Sequence, residues 1–265
     1  MVRSKATCTV IKPLNKRIPV KALSNRGAFF SEYNPQNAFT FFNFGQMDAI
    51  RYINIHTHRH PGEQELAIVQ TSTPPCPPIP FVQYSIGIHP WHIDTANWKK
   101  QIDELQVYAP SKQIVAIGEC GMDKLTDIPA SIQTAVFCEQ VLLANRLAKP
   151  LIIHNVRFHR EIIRNLQECQ NQMPVIFHGF NQKKEVADEL LKHGYYLSFG
   201  KALFNPGMEV VFAQVPVDQF FLETDDADLS ITDVYRKAAA LRHTGIDTVL
   251  QATQKNRAAI FNQLI

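Results

Sequence analysis

Two histidines separated by one residue, His56 and His58, are the first side chains whose types and spacing could do chemistry. They end an apolar, β-forming run that begins at Tyr52. Because side chains alternate along a strand, we expect both imidazoles and Asn54 to share one face. Two neighbouring imidazoles can bind one divalent metal ion. A bare His-x-His pair is more often structural, so this interpretation depends on what the other strand ends carry.

Other strand-like runs also end in residue types that bind metals. Glu119, His154 and His178 each end such a run, and Asp225 lies just past one. The same alternation predicts that each shares a face with alternate apolar residues of its run, as Ile117 does with Glu119. Each residue alone could be structural, for example by pairing with an arginine or bonding the backbone. Metal-type ligands at five strand ends have no comparable structural explanation, so together they predict a metal site.

The predicted site is a two-metal centre. Its six candidate ligands are imidazoles and carboxylates: His56, His58, Glu119, His154, His178 and Asp225. We expect the first two histidines and the aspartate to bind one ion, the other two histidines to bind the second, and the glutamate to bridge them. These ligands suit Zn²⁺, Mn²⁺ or Fe²⁺, and a carboxylate bridge is compatible with Mg²⁺. Two-metal sites activate a water for phosphodiester hydrolysis, and Asp225 is the predicted general base.

The elements that position these ligands form a regular series. Eight runs are predicted as strands: Tyr52–His56, Glu65–Gln70, Val82–His89, Ile114–Glu119, Leu151–His154, Val175–His178, Tyr195–Phe199 and Phe220–Glu223. Helical patterns lie between most of them, over 98–108, 131–148, 159–170, 186–194, 231–242 and 246–264. Strands alternating with helices predict an α/β fold, a (β/α)₈ TIM barrel, in which the C-terminal strand ends meet at one mouth.

The first crossover does not fit a regular barrel. The link between the first two runs is shorter than the dozen or so residues that a parallel connection usually needs. Either this crossover is a shortened loop, which would distort the barrel, or the run Glu65–Gln70 is misplaced.

Composition and charge narrow the class of protein. No apolar run approaches the ~18 residues of a membrane span, and five cysteines without metal-type spacing indicate reduced thiols and a cytoplasmic location. Residues 1–46 carry seven Lys/Arg and one acid. Since the net charge of the whole chain is +3, the remaining residues have a net charge of −3. We therefore predict a poorly ordered basic extension over 1–46 and a hydrolase barrel over 47–265. A transit peptide or a nucleic-acid-binding tail are the alternatives for the extension, and Met47 would be a natural start.

The ligands and their surroundings resemble one known family, the TatD family of metal-dependent deoxyribonucleases, within the amidohydrolase-like barrels. The matching segments are Asn54–His58, Gly87–Pro90, Ala116–Asp123, Leu151–His154, His178–Phe180 and Glu223–Asp225, with Asn256 and Phe261 in the last helix. The likeness extends over residues 51–264 in the family's order. It implies the same ligand assignment, with Glu119 and Asp225 as catalytic residues, and hydrolysis of phosphodiester bonds in DNA, often exonucleolytic.

The sequence departs from the family pattern at positions that are expected to lie near the substrate. Asn54 stands where the family usually has Asp, and Arg157 lies one residue beyond the position of the family's arginine. His89, Trp91 and Arg157 are the candidate substrate contacts, with Trp91 as a ring on which a base could stack.

The predicted function is divalent-metal-dependent cleavage of DNA with two ions, Mg²⁺, Mn²⁺ or Zn²⁺. We expect no membrane partner and no obligate protein partner. Two alternatives stay open: a small-molecule amidohydrolase or phosphoesterase that uses the same metals, and a non-catalytic binding protein that keeps the barrel.

Overall fold

A parallel barrel forms the centre of the protein. The computed structural model describes residues 52–73 and 82–261. The strands are β1 (Tyr52–Thr57), β2 (Glu65–Thr71), β3 (Gln83–Ile86), β4 (Ile114–Asp123), β5 (Leu151–Val156), β6 (Val175–Phe177), β7 (Tyr196–Phe199) and β8 (Phe220–Leu222). They pair in parallel in the order β1 to β8, which confirms the predicted (β/α)₈ fold. The predicted N-terminal extension lies outside the described residues, and the division at residue 47 stays a prediction.

Helices follow most of the strands and cover the barrel. They are α1 (Trp98–Tyr108), α2 (Ala130–Leu147), α3 (His159–Glu168), α4 (Lys184–Lys192), α5 (Met208–Gln214), α6 (Ile231–Leu241) and α7 (Ile246–Phe261). Six of them coincide with predicted helical patterns. The short helix α5 was not predicted, and short 3₁₀ helices occupy Pro90–His92 and Lys201–Phe204. None of the helices in the described ranges is long and apolar enough to cross a membrane.

The first crossover is indeed short. The strands β1 and β2 pair in parallel with Tyr52 opposite Glu65, and residues 58–64 connect them without a helix. The run at Glu65–Gln70 was therefore placed correctly, and the distortion lies in the connection.

The barrel closes between β1 and β8. The bonds across this junction differ between the mouth and the deeper part of the barrel. Near the mouth the backbones meet directly: the Asp225 N–H donates to the His56 carbonyl at 3.1 Å, and the His58 N–H donates to the Asp225 carbonyl at 3.2 Å. Deeper in, side chains satisfy the backbone groups, which would otherwise be buried without partners. The Tyr235 hydroxyl bonds both N and O of Ile53, and Asn256 donates to the Phe220 carbonyl at 2.9 Å. We call this junction the seam.

An apolar plug fills the inside of the barrel below the mouth. Its buried residues come from several strands and from the end of α7: Ile53, Ile55, Ile68, Val115, Ala116, Ile152, Ile176, Phe221, Ile260 and Phe261. A TIM barrel interior is a packed core rather than a pore, so the polar groups above this plug face the mouth.

The predicted alternation is wrong in two strands. The pairing of β1 with β2 shifts register between Asn54 and Thr57, so Asn54 bonds Thr224 and not the histidines, while Ile55 joins the plug. The Asn54 side chain therefore cannot orient His56.

In β4 the register shifts twice, between Ile114 and Ala116 in the pairing with β3 and between Ile117 and Cys120 in the pairing with β5. Ile117 therefore packs outside the plug with Leu151 and Ile153 rather than on the face of Val115. A single extra or missing step in the pairing moves later side chains to the other face, which strict parity does not anticipate.

Candidate metal centre

All six predicted ligands converge at the mouth of the barrel. His56 lies in β1 and His58 directly follows this strand. Glu119 lies in β4, and His154 lies in β5. His178 directly follows β6, and Asp225 lies three residues beyond the end of β8. Glu119 is at the centre, because its carboxylate lies within 3.6 Å of all four predicted histidine ligands.

The ligands next to the seam are spaced apart. We call His56, His58 and Asp225 the seam half of the centre. The Nε2 atom of His56 lies 3.4 Å from both Glu119 Oε2 and Asp225 Oδ1, and Nε2 of His58 lies 3.6 and 3.4 Å from the same two oxygens. Ligand bonds of ~2.1 Å in a tetrahedral arrangement separate neighbouring ligand atoms by about 3.4 Å. The spacing therefore suits a bound cation.

His56 supports this fit independently. Its side chain is fully buried, and neither ring nitrogen has a hydrogen-bond partner. A buried polar atom without a partner is costly, and a cation between His56 and the two carboxylates would satisfy Nε2.

The other side of the centre is closed by hydrogen bonds. Glu119 Oε1 lies 2.8 Å from His154 Nδ1, 2.7 Å from His178 Nε2 and 3.3 Å from His89 Nε2. His89, predicted only as a substrate contact, thus belongs to the inner group around Glu119. Metal-compatible triplets include His89, Glu119 and His154, and also His56, His178 and Asp225, so the ligand groups overlap.

Two further carboxylates support the histidines, and sequence reasoning assigned neither of them. Asp123 Oδ2 forms a hydrogen bond of 3.0 Å with His154 Nε2, whereas Glu223 Oε1 lies 3.5 Å from His178 Nδ1, which has no hydrogen-bond partner. A carboxylate behind a metal-binding imidazole fixes its orientation and tautomer. The available signal was the presence of acids within the matched segments Ala116–Asp123 and Glu223–Asp225.

Gln70 is a third residue that sequence reasoning missed. Its Oε1 accepts from the backbone N–H of Glu119 at 2.7 Å and from the Ser85 hydroxyl at 2.9 Å. It thereby fixes the strand segment that carries the central carboxylate.

The charges at the centre are strongly coupled. Burial raises the pKa of Glu119, but the positive charge of His178 and hydrogen bonds from the histidines outweigh this and hold it far below its usual range. For Asp225, burial is likewise outweighed by the close approach of the His56 and His58 imidazoles, and its pKa is low. The Asp225 and Glu119 carboxylates beside His58 raise the pKa of this histidine to about 9, whereas burial lowers the pKa of His89. Both carboxylates are therefore ionised, as metal ligands must be.

A cavity of about 510 Å³ opens from the centre to solvent. Trp91 lines it with 58% of its surface exposed, and its indole N–H donates to Asp123 at 2.6 Å. A neighbouring cavity of about 280 Å³ shares Asp225 and contains Lys201. Arg157 is exposed and lines neither cavity, so the structure does not bring it to the site with the other candidates.

Comparison with known proteins agrees with this fold. The model of the family described as TatD related DNase matches residues 76–262. The uncharacterized metal-dependent hydrolase YjjV of Escherichia coli is 27% identical over 199 residues, which cover 67% of this chain and 76% of that protein. The 3'-5' ssDNA/RNA exonuclease TatD of Cronobacter turicensis is 31% identical over 165 residues, which cover 59% of this chain and 62% of that protein.

Solved structures share the fold. The crystal structure of the E. coli TatD homologue YJJV has a TM-score of 0.70 at 22% identity and covers 81% of this chain and 99% of its own. A TatD-family hydrolase from Entamoeba histolytica has a TM-score of 0.66 at 15% identity, with 80% and 98% covered.

The barrel and its cluster of metal-type ligands define a metal-dependent hydrolase. The family match covers well over half of the sequence. The chain therefore belongs to the family of TatD-related DNases, as the motifs predicted.

Proposed function

We propose that this protein is a deoxyribonuclease that hydrolyses phosphodiester bonds in DNA with two divalent metal ions and acts as an exonuclease. The observation that carries the proposal is the convergence of four histidines and Asp225 around one buried carboxylate, Glu119, beside an open cavity. The C. turicensis relative, which is named as an exonuclease of single-stranded DNA and RNA, supports the choice of substrate.

Each half of the centre would hold one cation. The seam half and Glu119 Oε2 would bind the first, and His154 and His178 with Glu119 Oε1 would bind the second. When bound, such a pair of ions supplies an activated water and charge stabilisation for the phosphodiester. The residues suit Zn²⁺ and Mn²⁺, and a bridging carboxylate is compatible with Mg²⁺.

Asp225 is the proposed general base. Its side chain is about one third exposed, lines both cavities and contacts both histidines of the seam half. A carboxylate with a low pKa is ionised at neutral pH and can accept the proton of an attacking water. Glu119 is almost fully buried, so its proposed role is to hold the ligands rather than to exchange protons with solvent.

Trp91 is the proposed contact for a nucleobase. Its ring is exposed at the cavity while its indole N–H is fixed, so the ring is presented to solvent in one orientation. Stacking of a base on an aromatic ring contributes ~1–3 kcal/mol and tolerates any sequence. The predicted substrate contact by Arg157 has no support from the structure and is not part of the proposal.

Cleavage of labelled single-stranded DNA tests the proposal. Protein freed of metal by a chelator should be inactive, and Mg²⁺, Mn²⁺ or Zn²⁺ should restore stepwise shortening of the strand. Asp225→Ala should abolish cleavage, whereas Asp228→Ala should retain it, because Asp228 is a fully exposed acid three residues away. Equal activity of the wild type and Asp225→Ala would contradict the mechanism.

One observation favours a second candidate, a hydrolase of small phosphoesters or cyclic amides. Within the described part of the chain, no lysine or arginine lines the larger cavity, and Lys201 lies in the neighbouring one. A polyanion is normally bound through such cations. A substrate panel separates the candidates: turnover of small esters without cleavage of DNA would favour the second.

A further inference from the structure

Asp123 connects the exposed tryptophan of the cavity to a ligand of the metal centre. We call His89, Trp91, Asp123 and His154 the lip half of the site. A single oxygen, Asp123 Oδ2, lies 2.6 Å from the indole nitrogen of Trp91 and 3.0 Å from Nε2 of His154. The indole N–H can only donate, so this oxygen accepts from the ring and from the histidine together.

The Asp123 carboxylate is itself fixed on every side. Its other oxygen, Oδ1, accepts from the Leu125 N–H at 2.7 Å, and the residue is 1% exposed. Gln133 bonds its backbone twice, accepting from the Asp123 N–H at 2.8 Å and donating to its carbonyl at 3.0 Å. The carboxylate therefore cannot turn away from either partner without losing bonds on both oxygens.

This arrangement sets which nitrogen of His154 faces the metal centre. Because Nε2 is occupied by Asp123, the other nitrogen, Nδ1, is directed at Glu119, 2.8 Å away. When Nε2 carries the proton, Nδ1 presents a lone pair to a cation beside Glu119. Any displacement of His154 on binding a cation changes the bond to Oδ2, which also holds Trp91.

We propose that Asp123 is a positioning residue that couples occupancy of the metal centre to the orientation of Trp91. The coupling rests on the proposed function, because it requires His154 to bind a metal ion. Asp123 lines neither of the two cavities and does not contact Glu119. It therefore acts through His154 and Trp91. A metal ion in the centre thus fixes the orientation of the Trp91 ring on which a base would stack.

The fluorescence of Trp91 tests the coupling without any assay of activity. The chain contains two tryptophans, so Trp98→Phe leaves Trp91 as the single emitter. Zn²⁺ is a suitable probe because its closed d shell gives no redox chemistry. Zinc affinity is measured in parallel by competition with a chromophoric chelator.

In the Trp98→Phe protein, Zn²⁺ should change the emission of Trp91. Asp123→Asn in this background should weaken zinc binding by about 10–100-fold, the usual cost of losing the partner behind a metal-binding histidine. At saturating Zn²⁺ its emission should stay at the metal-free value. An amide cannot replace the carboxylate, because one of its two ends is a donor that would face either the Leu125 N–H or the indole. The matched control Asp103→Asn, an exposed acid on α1, should behave as the parent.

His154→Gln provides a second variant with Asp123 and Trp91 intact. Zinc should no longer change its Trp91 emission, and an unchanged response would overturn the coupling. Asp123→Asn that binds Zn²⁺ and shifts emission as the parent does would also overturn it. Failure of the parent itself to bind Zn²⁺, Mn²⁺ or Mg²⁺ would instead overturn the proposed metal centre, so the two failures are distinguishable.

Discussion

The seam half and the lip half of the site differ in how their ligands are held. In the seam half the ligand nitrogens and carboxylate oxygens are 3.4–3.6 Å apart, and backbone bonds between β1 and the residue after β8 fix them. In the lip half, His154 is held by side-chain hydrogen bonds of 2.8 Å to Glu119 and 3.0 Å to Asp123. Backbone closure of the barrel therefore spaces one set of ligands for a cation. In the proposed two-metal centre, the other set would have to exchange a hydrogen bond for a metal bond.

This difference predicts that the two ions bind with unequal affinity. The seam half needs no rearrangement before it binds, whereas the bond between Glu119 and His154 has to open.

Glu119→Gln should have the largest effect, because this carboxylate is shared by both halves. We expect both ions to be lost, with a fall in metal affinity beyond the ~100-fold that removal of a supporting partner causes. Metal analysis after dialysis against Zn²⁺ or Mn²⁺ measures this. Retention of two ions per chain would show that Glu119 does not join the halves.

Asp225→Asn and His154→Gln should separate the halves. The first should remove the seam-half ion and lower the rate of DNA cleavage by roughly 10²–10⁴-fold, the range for a general base. The second should remove the weaker ion and leave the tighter one in place. Titration calorimetry of both variants with Mn²⁺ checks this order. Loss of the tighter ion in His154→Gln would reverse the assignment.

The pH dependence of stability in metal-free protein should have opposite signs in the two halves. The pKa of His58 is raised to about 9, so its stabilisation is complete below pH 6.5 and is lost as the pH rises through 9. The contribution should be ~1 kcal/mol or less, because the pair is partly exposed and screened. The pKa of His89 is lowered by burial, so its contribution improves as the pH rises toward 6.5.

Urea unfolding of His58→Gln and His89→Gln between pH 5 and 9.5, each compared with the parent, measures both contributions. Equal slopes for the two variants would contradict the contrast between the halves.

Arg157→Ala should have the smallest effect. The arginine is exposed, has a left-handed backbone conformation (φ 60°) and lines neither cavity. We expect KM and kcat for DNA to be unchanged. A clear rise in KM would restore the substrate contact that the sequence suggested.

Much of the fold and the ligand set could be predicted from the sequence. Apolar runs that end in His, Glu or Asp locate strands, and parallel strands place their ends at one mouth, so His56 and Glu119 meet although they are far apart in sequence. The short connection after β1 could also be predicted, because it depends only on the number of residues between the first two strands.

The internal geometry of the site could not be predicted. Alternation fails at Asn54 and Ile117, because shifts in strand register depend on the pairing partner and leave no mark in local sequence. The role of Asp123 depends on β4 continuing past Glu119, and the strand was expected to end there. The short helix α5 buries only a few residues, too few for a periodic pattern.

Anomalous diffraction from crystals grown with Mn²⁺ would locate both ions of the proposed centre. We expect two peaks about 3.5–4 Å apart on either side of Glu119, one beside His56, His58 and Asp225 and the other beside His154 and His178. A map without any peak among these six ligands, or with manganese bound elsewhere on the barrel, would contradict the proposed centre.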